Sequence, residues 1–252
     1  MASGEWILLS FKLQSWNAIA PGLESEPQWK AWAENPVALP AELHGVSLKQ
    51  IPPMLRRRFT ELGRASASSA LPLLEGIDAI PGVFASRHGD TPLTFSLLEG
   101  IARNEPMSPT GFSLAVHNAV AGLLSIARKD LSEVTAIAAT RNLIVSALLE
   151  AVTQLQERDQ VLCVIYDVPL PELYRSYSSS ETHPYALAML LSRTEGEDLT
   201  LSATHDGTPE SDTTSELIRM MRFLLALDEQ AHFATGAGSG WRLGKPVTAQ
   251  ER

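Results

Sequence analysis

The chain has 252 residues and is 44% hydrophobic, enough apolar material for a packed core and too much for disorder as its main state. Lys and Arg number 20 against 29 Asp and Glu, a formal charge of −9, which argues against a nucleic-acid partner and gives no attraction to an anionic membrane. The one cysteine excludes an internal disulfide framework and a cysteine-rich zinc site, no apolar run approaches the roughly 20 residues of a membrane span, and no signal-peptide pattern opens the chain, so the expectation is a cytoplasmic protein.

Glu5-Trp-Ile-Leu-Leu-Ser-Phe-Lys-Leu reads as an opening strand, and the continuation from Trp16 breaks at Pro21-Gly22. Trp29 and Trp32, three residues apart, predict a short helix with both rings on one face. From Pro53 to Glu75 the spacing of Leu55, Phe59, Leu62, Ala65 and Ala70 predicts a helix with a break at Pro72 and an arginine face at Arg56, Arg57 and Arg58. A buried strand follows Gly82. Val116 to Arg128 carries a helical apolar stripe, Val134 to Ala139 a short strand, and Asn142 to Gln156 a helix apolar nearly all round. Val161-Leu-Cys-Val-Ile-Tyr-Asp is the continuous apolar run of a strand buried on both faces. This alternation is that of an α/β layer structure. Beyond Pro169, residues 176–182 read as a serine-rich loop. Residues 183–203 read as a hairpin of Tyr185 to Ser192 and Leu199 to Ala203. Thr204 to Thr214 reads as a loop, residues 215–229 as a helix capped by Ser215, and 237–252 as a flexible glycine-rich tail.

Signals for chemistry are few. No G-x-S-x-G elbow is present, and Gly236-Ala-Gly-Ser-Gly lacks the strand and helix that a phosphate loop joins. His183, His205 and Asp206 fall in or beside loops and read as surface polar residues, so no metal site is expected, and no cofactor either. Cys163 lies inside the apolar strand and reads as core packing. His117 and Asn118 open the Val116 helix. They read either as a capping arrangement or as part of a packed interface or tunnel wall. Arg56 to Arg58 reads as a solvated face or as the place where an anionic partner docks.

Four segments carry a resemblance: Phe84-Ala-Ser-Arg-His-Gly-Asp; Ser108-Pro-Thr-Gly-Phe-Ser-Leu-Ala-Val-His-Asn-Ala-Val-Ala-Gly-Leu-Leu-Ser-Ile; Tyr166-Asp-Val-Pro-Leu-Pro; and His183-Pro-Tyr-Ala-Leu-Ala. Together they resemble the short β-ketoacyl-synthase-like proteins of aryl polyene biosynthesis, which are similar to chain-length factors, the partner subunits of type II ketosynthases. The resemblance runs from about Trp6 to Ala203, with its specific part at Ser108 to Ile126.

It implies an α/β, thiolase-like fold, here mainly the N-terminal half of a ketosynthase (5–168) with a rudimentary C-terminal half, in a single domain. In active ketosynthases a cysteine sits at the N-terminus of the buried central helix, where the helix dipole favours its thiolate. The corresponding place lies within Ala139-Thr140-Arg141-Asn142, with Thr140 and Arg141 as the degenerate nucleophile position, and no cysteine is there. The catalytic histidines of a C-terminal half are missing too. The resemblance therefore implies no catalytic residues and a non-catalytic subunit. Its expected partners are a full-length ketosynthase, in a heterodimer or higher heteromer, and through that complex an acyl carrier protein. Phe112, His117, Asn118 and the strand Val134, Thr135, Ala136, Ile137, Ala138 and Ala139 are the expected interface or tunnel wall. The apolar helix from Asn142 needs a cover, for which the 215–229 helix is one candidate. The rival readings are a stand-alone acyltransferase or thioester hydrolase using Ser113, His117 or His183, and a scaffold without a ketosynthase partner.

Overall fold

A computed structural model describes residues 8–178, 181–205, 214–236 and 238–246. Its strands are β1 (Leu8–Ile19), β2 (Gly82–Ala85), β3 (Val134–Ile137), β4 (Gln160–Asp167), β5 (Tyr185–Ser192), β6 (Glu197–Thr204), β7 (Gln230–Gly236) and β8 (Ser239–Gly244). The helices are α1 (Glu26–Glu34), α2 (Pro53–Arg56), α3 (Glu61–Ala70), α4 (Thr91–Ala102), α5 (Pro109–Ala115), α6 (Ala119–Arg128), α7 (Leu143–Gln154), α8 (Glu172–Arg175) and α9 (Glu216–Leu224). The strands form one sheet in the order β3-β2-β4-β5-β1-β6-β8-β7. β2 is parallel to β3 and β4, and the remaining pairs are antiparallel. Among the described residues no single helix is long and apolar enough to cross a membrane.

Alternation along the central strands splits the core in two. Val161, Cys163 and Ile165 of β4, with Tyr185, Leu187, Met189 and Leu191 of β5, face the cluster that holds α1, α7 and α9. Leu162, Val164 and Tyr166, with Ala186, Ala188 and Leu190, face the cluster under α3 and α6. Continuous apolar strands are what this sandwich requires, because neither face of the sheet meets water. α3 lies close on β4 and β5 through a small-residue face that includes Gly63, Ala67 and Ala70.

Several segments depart from expectation. β1 runs on to Ile19, bent by a bulge between Leu13 and Ser15, and residues 5–7 of the expected strand lie outside the described ones. The predicted Pro53 to Glu75 helix divides at Phe59, because the Thr60 hydroxyl accepts from the Gly63 N–H and starts a new helix. The predicted Val116 to Arg128 helix begins only at Ala119: Val116 is extended, with ψ 147, and the chain bends by 102° between α5 and α6. Residues 183–203 are not a hairpin. β5 and β6 both pair with β1 and not with each other.

The tail expected from residue 237 contains β8, paired to β6 and β7; residue 237 itself and residues 247–252 lie outside the described ones. Glycine here serves close packing, since a Cβ on Gly240 would meet the Phe233 carbonyl oxygen at 2.9 Å. β6, β8 and β7 send Leu199, Leu201, Leu243, Ala231 and Phe233 into the same core as α7. α7 itself packs on β2 and β4 and is flanked by β1 and α9, and seven of its twelve residues are buried from within the chain.

Candidate functional site

The C-terminal ends of the parallel strands β2 and β4 meet the N-terminus of α7. Ligands in α/β sheets bind beyond such strand ends. α7 starts from Asn142, whose backbone is left-handed at φ 52. The Asn142 side-chain amide donates to the Ala234 carbonyl of β7 at 3.2 Å. Thr140 and Arg141, the expected nucleophile position, are exposed in the turn just before this elbow.

Two N–H groups at the start of α7 are taken by a carboxylate. Glu216 Oε1 accepts from the Asn142 N–H at 2.8 Å and Oε2 from the Ile144 N–H at 3.3 Å. Arg87, following β2, donates to Glu216 Oε1 at 3.3 Å. Both side chains are about 15% exposed. A helix N-terminus favours an anion, and the first residue of α9 supplies one. The partial positive charge that would otherwise favour a thiolate, or a developing negative charge on a substrate, is thus already engaged.

Beside this pair lies Asp167, the last residue of β4. Its Oδ1 accepts from the Ser86 hydroxyl at 2.8 Å and from the Arg87 N–H at 2.9 Å, and the Tyr185 hydroxyl donates to Oδ2 at 3.4 Å. Burial pushes the Asp167 carboxyl up to about 6, although Ser86 and the Arg87 N–H and charge oppose the shift. Because that value exceeds the unfolded one of about 3.9, the contribution of Asp167 to stability is complete below about pH 4 and declines as pH rises to 6. Asp167→Asn keeps an acceptor for Ser86 and Arg87 and removes the decline. Relative to wild type it is expected to gain about 2 kcal/mol on going from pH 4 to pH 7. Urea unfolding at both pH values measures this, and an equal difference at the two would place the folded value near the ordinary one.

The other sequence candidates separate into two groups. His117 is half-buried, its Nε2 donating to the Ile137 carbonyl at 2.7 Å. Gly89, at φ 62, leaves room for that ring: a Cβ there would lie 3.0 Å from His117 Nδ1. His117 therefore pins the bend before α6 to the end of β3. Asn118 is exposed at the α6 cap position but makes no side-chain cap bond. Phe112 is 58% exposed on α5, and Val134 41% exposed on β3. Thr135 accepts from the Gln154 amide at 3.0 Å. Ala136 and Ala138 are exposed, while Ile137 and Ala139 pack partly against the core. β3 is thus a sheet edge, and exposed Leu98, Ile101, Met107, Phe112, Val116 and Val134 give α4, α5 and that edge an apolar surface.

His183 is not a surface residue. It is 4% exposed, edge-on to Trp32 with ring centroids 6.0 Å apart, and burial lowers its pKa. His205 is exposed and hydrogen-bonded to Ser239; Asp206 lies outside the described residues. Cys163 is fully buried, its thiol pushed up to about 12 by burial, which makes it inert packing material. Arg56 donates to the Ile51 carbonyl, and Arg57 and Arg58 are exposed.

Glu216 and Arg87 escaped the sequence reading as a pair. The available signals were a charge directly behind a helix cap and polar residues directly behind apolar strands.

The model of the beta-ketoacyl synthase N-terminal domain matches residues 29–242. No curated protein matches the sequence. One chain of a solved complex, described as the ketosynthase ApeO with its chain length factor ApeC from Xenorhabdus doucetiae, superposes with a TM-score of 0.80 at 26% identity, over 94% of this chain and 100% of that one. The ishigamide ketosynthase/chain length factor gives 0.64 at 13% identity, over 79% and 68% of the two chains. A beta-ketoacyl synthase from Burkholderia phymatum gives 0.60 at 11% identity, over 88% and 71%. The last two likenesses are of fold alone. With a thiolase-like α/β sheet, a buried central helix at the strand ends and a family match spanning most of its length, the chain belongs to the β-ketoacyl synthase N-terminal domain family.

Proposed function

We propose that this protein is a non-catalytic, chain-length-factor-like partner of a β-ketoacyl synthase, stabilising that enzyme and shaping the pocket for a growing acyl chain in aryl polyene biosynthesis. The observation that carries the reading is the filled N-terminus of α7, where Glu216 accepts from the Asn142 and Ile144 N–H groups and pairs with Arg87, while the chain's one thiol is buried elsewhere. The open β3 edge and the apolar surface around Phe112 support a heteromer, and the complex named for the ApeO–ApeC structure supports its type. An acyl carrier protein delivers the chain to the assembly. A stand-alone acyltransferase or hydrolase gains no support from the geometry. Ser113 donates to the Thr110 carbonyl, His117 to the Ile137 carbonyl, and His183 is buried against Trp32, so none of these three is paired with another as nucleophile and base.

Co-expression with a full-length ketosynthase from the same organism tests the proposal. A stable complex is expected, with Phe112→Ala weakening it or changing product length. A ketosynthase that is soluble and fully active without this protein would overturn the reading.

A further inference from the structure

Past its bulge, β1 loses one of its two neighbours. β6 pairs with Leu8 to Leu13, whereas β5 follows from Lys12 to Ile19. The crossing between them is made at Gly196, with φ 114, where a Cβ would fall 2.3 Å from the Leu13 carbonyl oxygen. From Ser15 to Ala18, therefore, only one edge of β1 carries a described strand. On the other side, the Trp29 indole donates to the Ala18 carbonyl at 2.9 Å. Alternation along a strand turns the N–H and C=O of Trp16 to that same side.

A groove of about 1060 Å³ runs along this open edge. Trp16, Trp29 and Phe223 give it aromatic lining, and Glu24, Glu26 and Glu229 are exposed acids lining it. Its one described cation, Lys245, is held by Glu197 at 2.5 Å, and its remaining acid, Asp228, by Arg222 at 2.7 Å. The lining charge left without a described ion pair is entirely negative. It lies four strands from β3 in sheet order, about 19 Å at ordinary strand spacing.

We propose that this groove docks an extended, Arg- or Lys-bearing segment of a partner protein, which adds to β1 as a short strand. Backbone groups of Trp16 supply the pairing, the acids select cationic side chains, and the half-buried Trp16 ring offers them an aromatic contact. An acidic segment or a nucleic acid meets like charge here. Since β3 is elsewhere, a ketosynthase on that edge leaves the groove free.

The test uses the whole chain and a fluorescent hexapeptide of alternating arginine and valine. Saturable binding is expected, at least tenfold weaker in the Glu24→Gln/Glu26→Gln/Glu229→Gln variant, with amide exchange slowed at Ser15 to Ala18 when the peptide is bound. These three side chains are exposed, and an unchanged melting temperature verifies that the variant folds. No saturable binding, equal binding of a glutamate–valine hexapeptide, undiminished binding by the variant, or exchange protection only elsewhere would each overturn the proposal. None of these readouts involves the ketosynthase, so failure here is separate from failure of the functional reading.

Discussion

Glu216→Ala is expected to destabilise the fold by about 3 kcal/mol, read as a lower urea midpoint at unchanged slope. The carboxylate accepts two N–H groups at the start of α7, one of them from fully buried Ile144, and it meets the Arg87 guanidinium. Alanine removes the acceptor, the charge that complements the helix dipole, and one carboxylate facing Arg87. Gln keeps an acceptor oxygen and the side chain's volume but not the charge, so Glu216→Gln is expected to cost roughly half as much. The order matters as much as the size. If alanine costs less than about 0.5 kcal/mol, the contacts at α7 are not a structural plug, and the proposal of a non-catalytic role loses its principal observation.

The contrast between Glu216 and β4 shows what a sequence displays and what it hides. Val161 to Tyr166 announces a doubly covered strand because burial on both faces demands six apolar residues in a row, a constraint written locally. The Glu216 contact joins residues 74 apart to Asn142. Nothing next to either residue encodes it. β8 was hidden for a different reason. Gly238, Gly240 and Gly244 suggest a loose tail, yet Gly240 is required by the Phe233 backbone and Gly244 pairs with Gln230, so low side-chain content reflects crowding. His183, beside Pro184 and a serine-rich stretch, similarly suggests a loop, but the chain enters β5 there and turns the ring onto Trp32. α4 and α5 escape because their apolar residues remain partly exposed and show no single buried stripe. The same exposure makes them informative about partners.

The sharpest test of the partner surface is Ala136→Pro, expected to weaken the complex with the ketosynthase by more than tenfold while leaving the isolated fold within about 1 kcal/mol of wild type. Gly82 and Ser86 of the β2 segment donate to the carbonyls of Glu133 and Ile137. In a parallel ladder, alternate residues face alternate sides, so Thr135 and Ile137 bond towards β2 while Val134 and Ala136 turn their N–H and C=O outward. Proline at 136 removes an outward donor and leaves the β2–β3 ladder its bonds. Thr135→Pro removes an inward one and is expected to detach β3 and lower stability as well. Size-exclusion and pull-down of the co-expressed pair, alongside urea unfolding of each variant alone, separate the two effects. Wild-type recovery of the complex with Ala136→Pro would mean that the ketosynthase does not extend the sheet through β3, and would move the interface to the α4–α5 surface around Phe112.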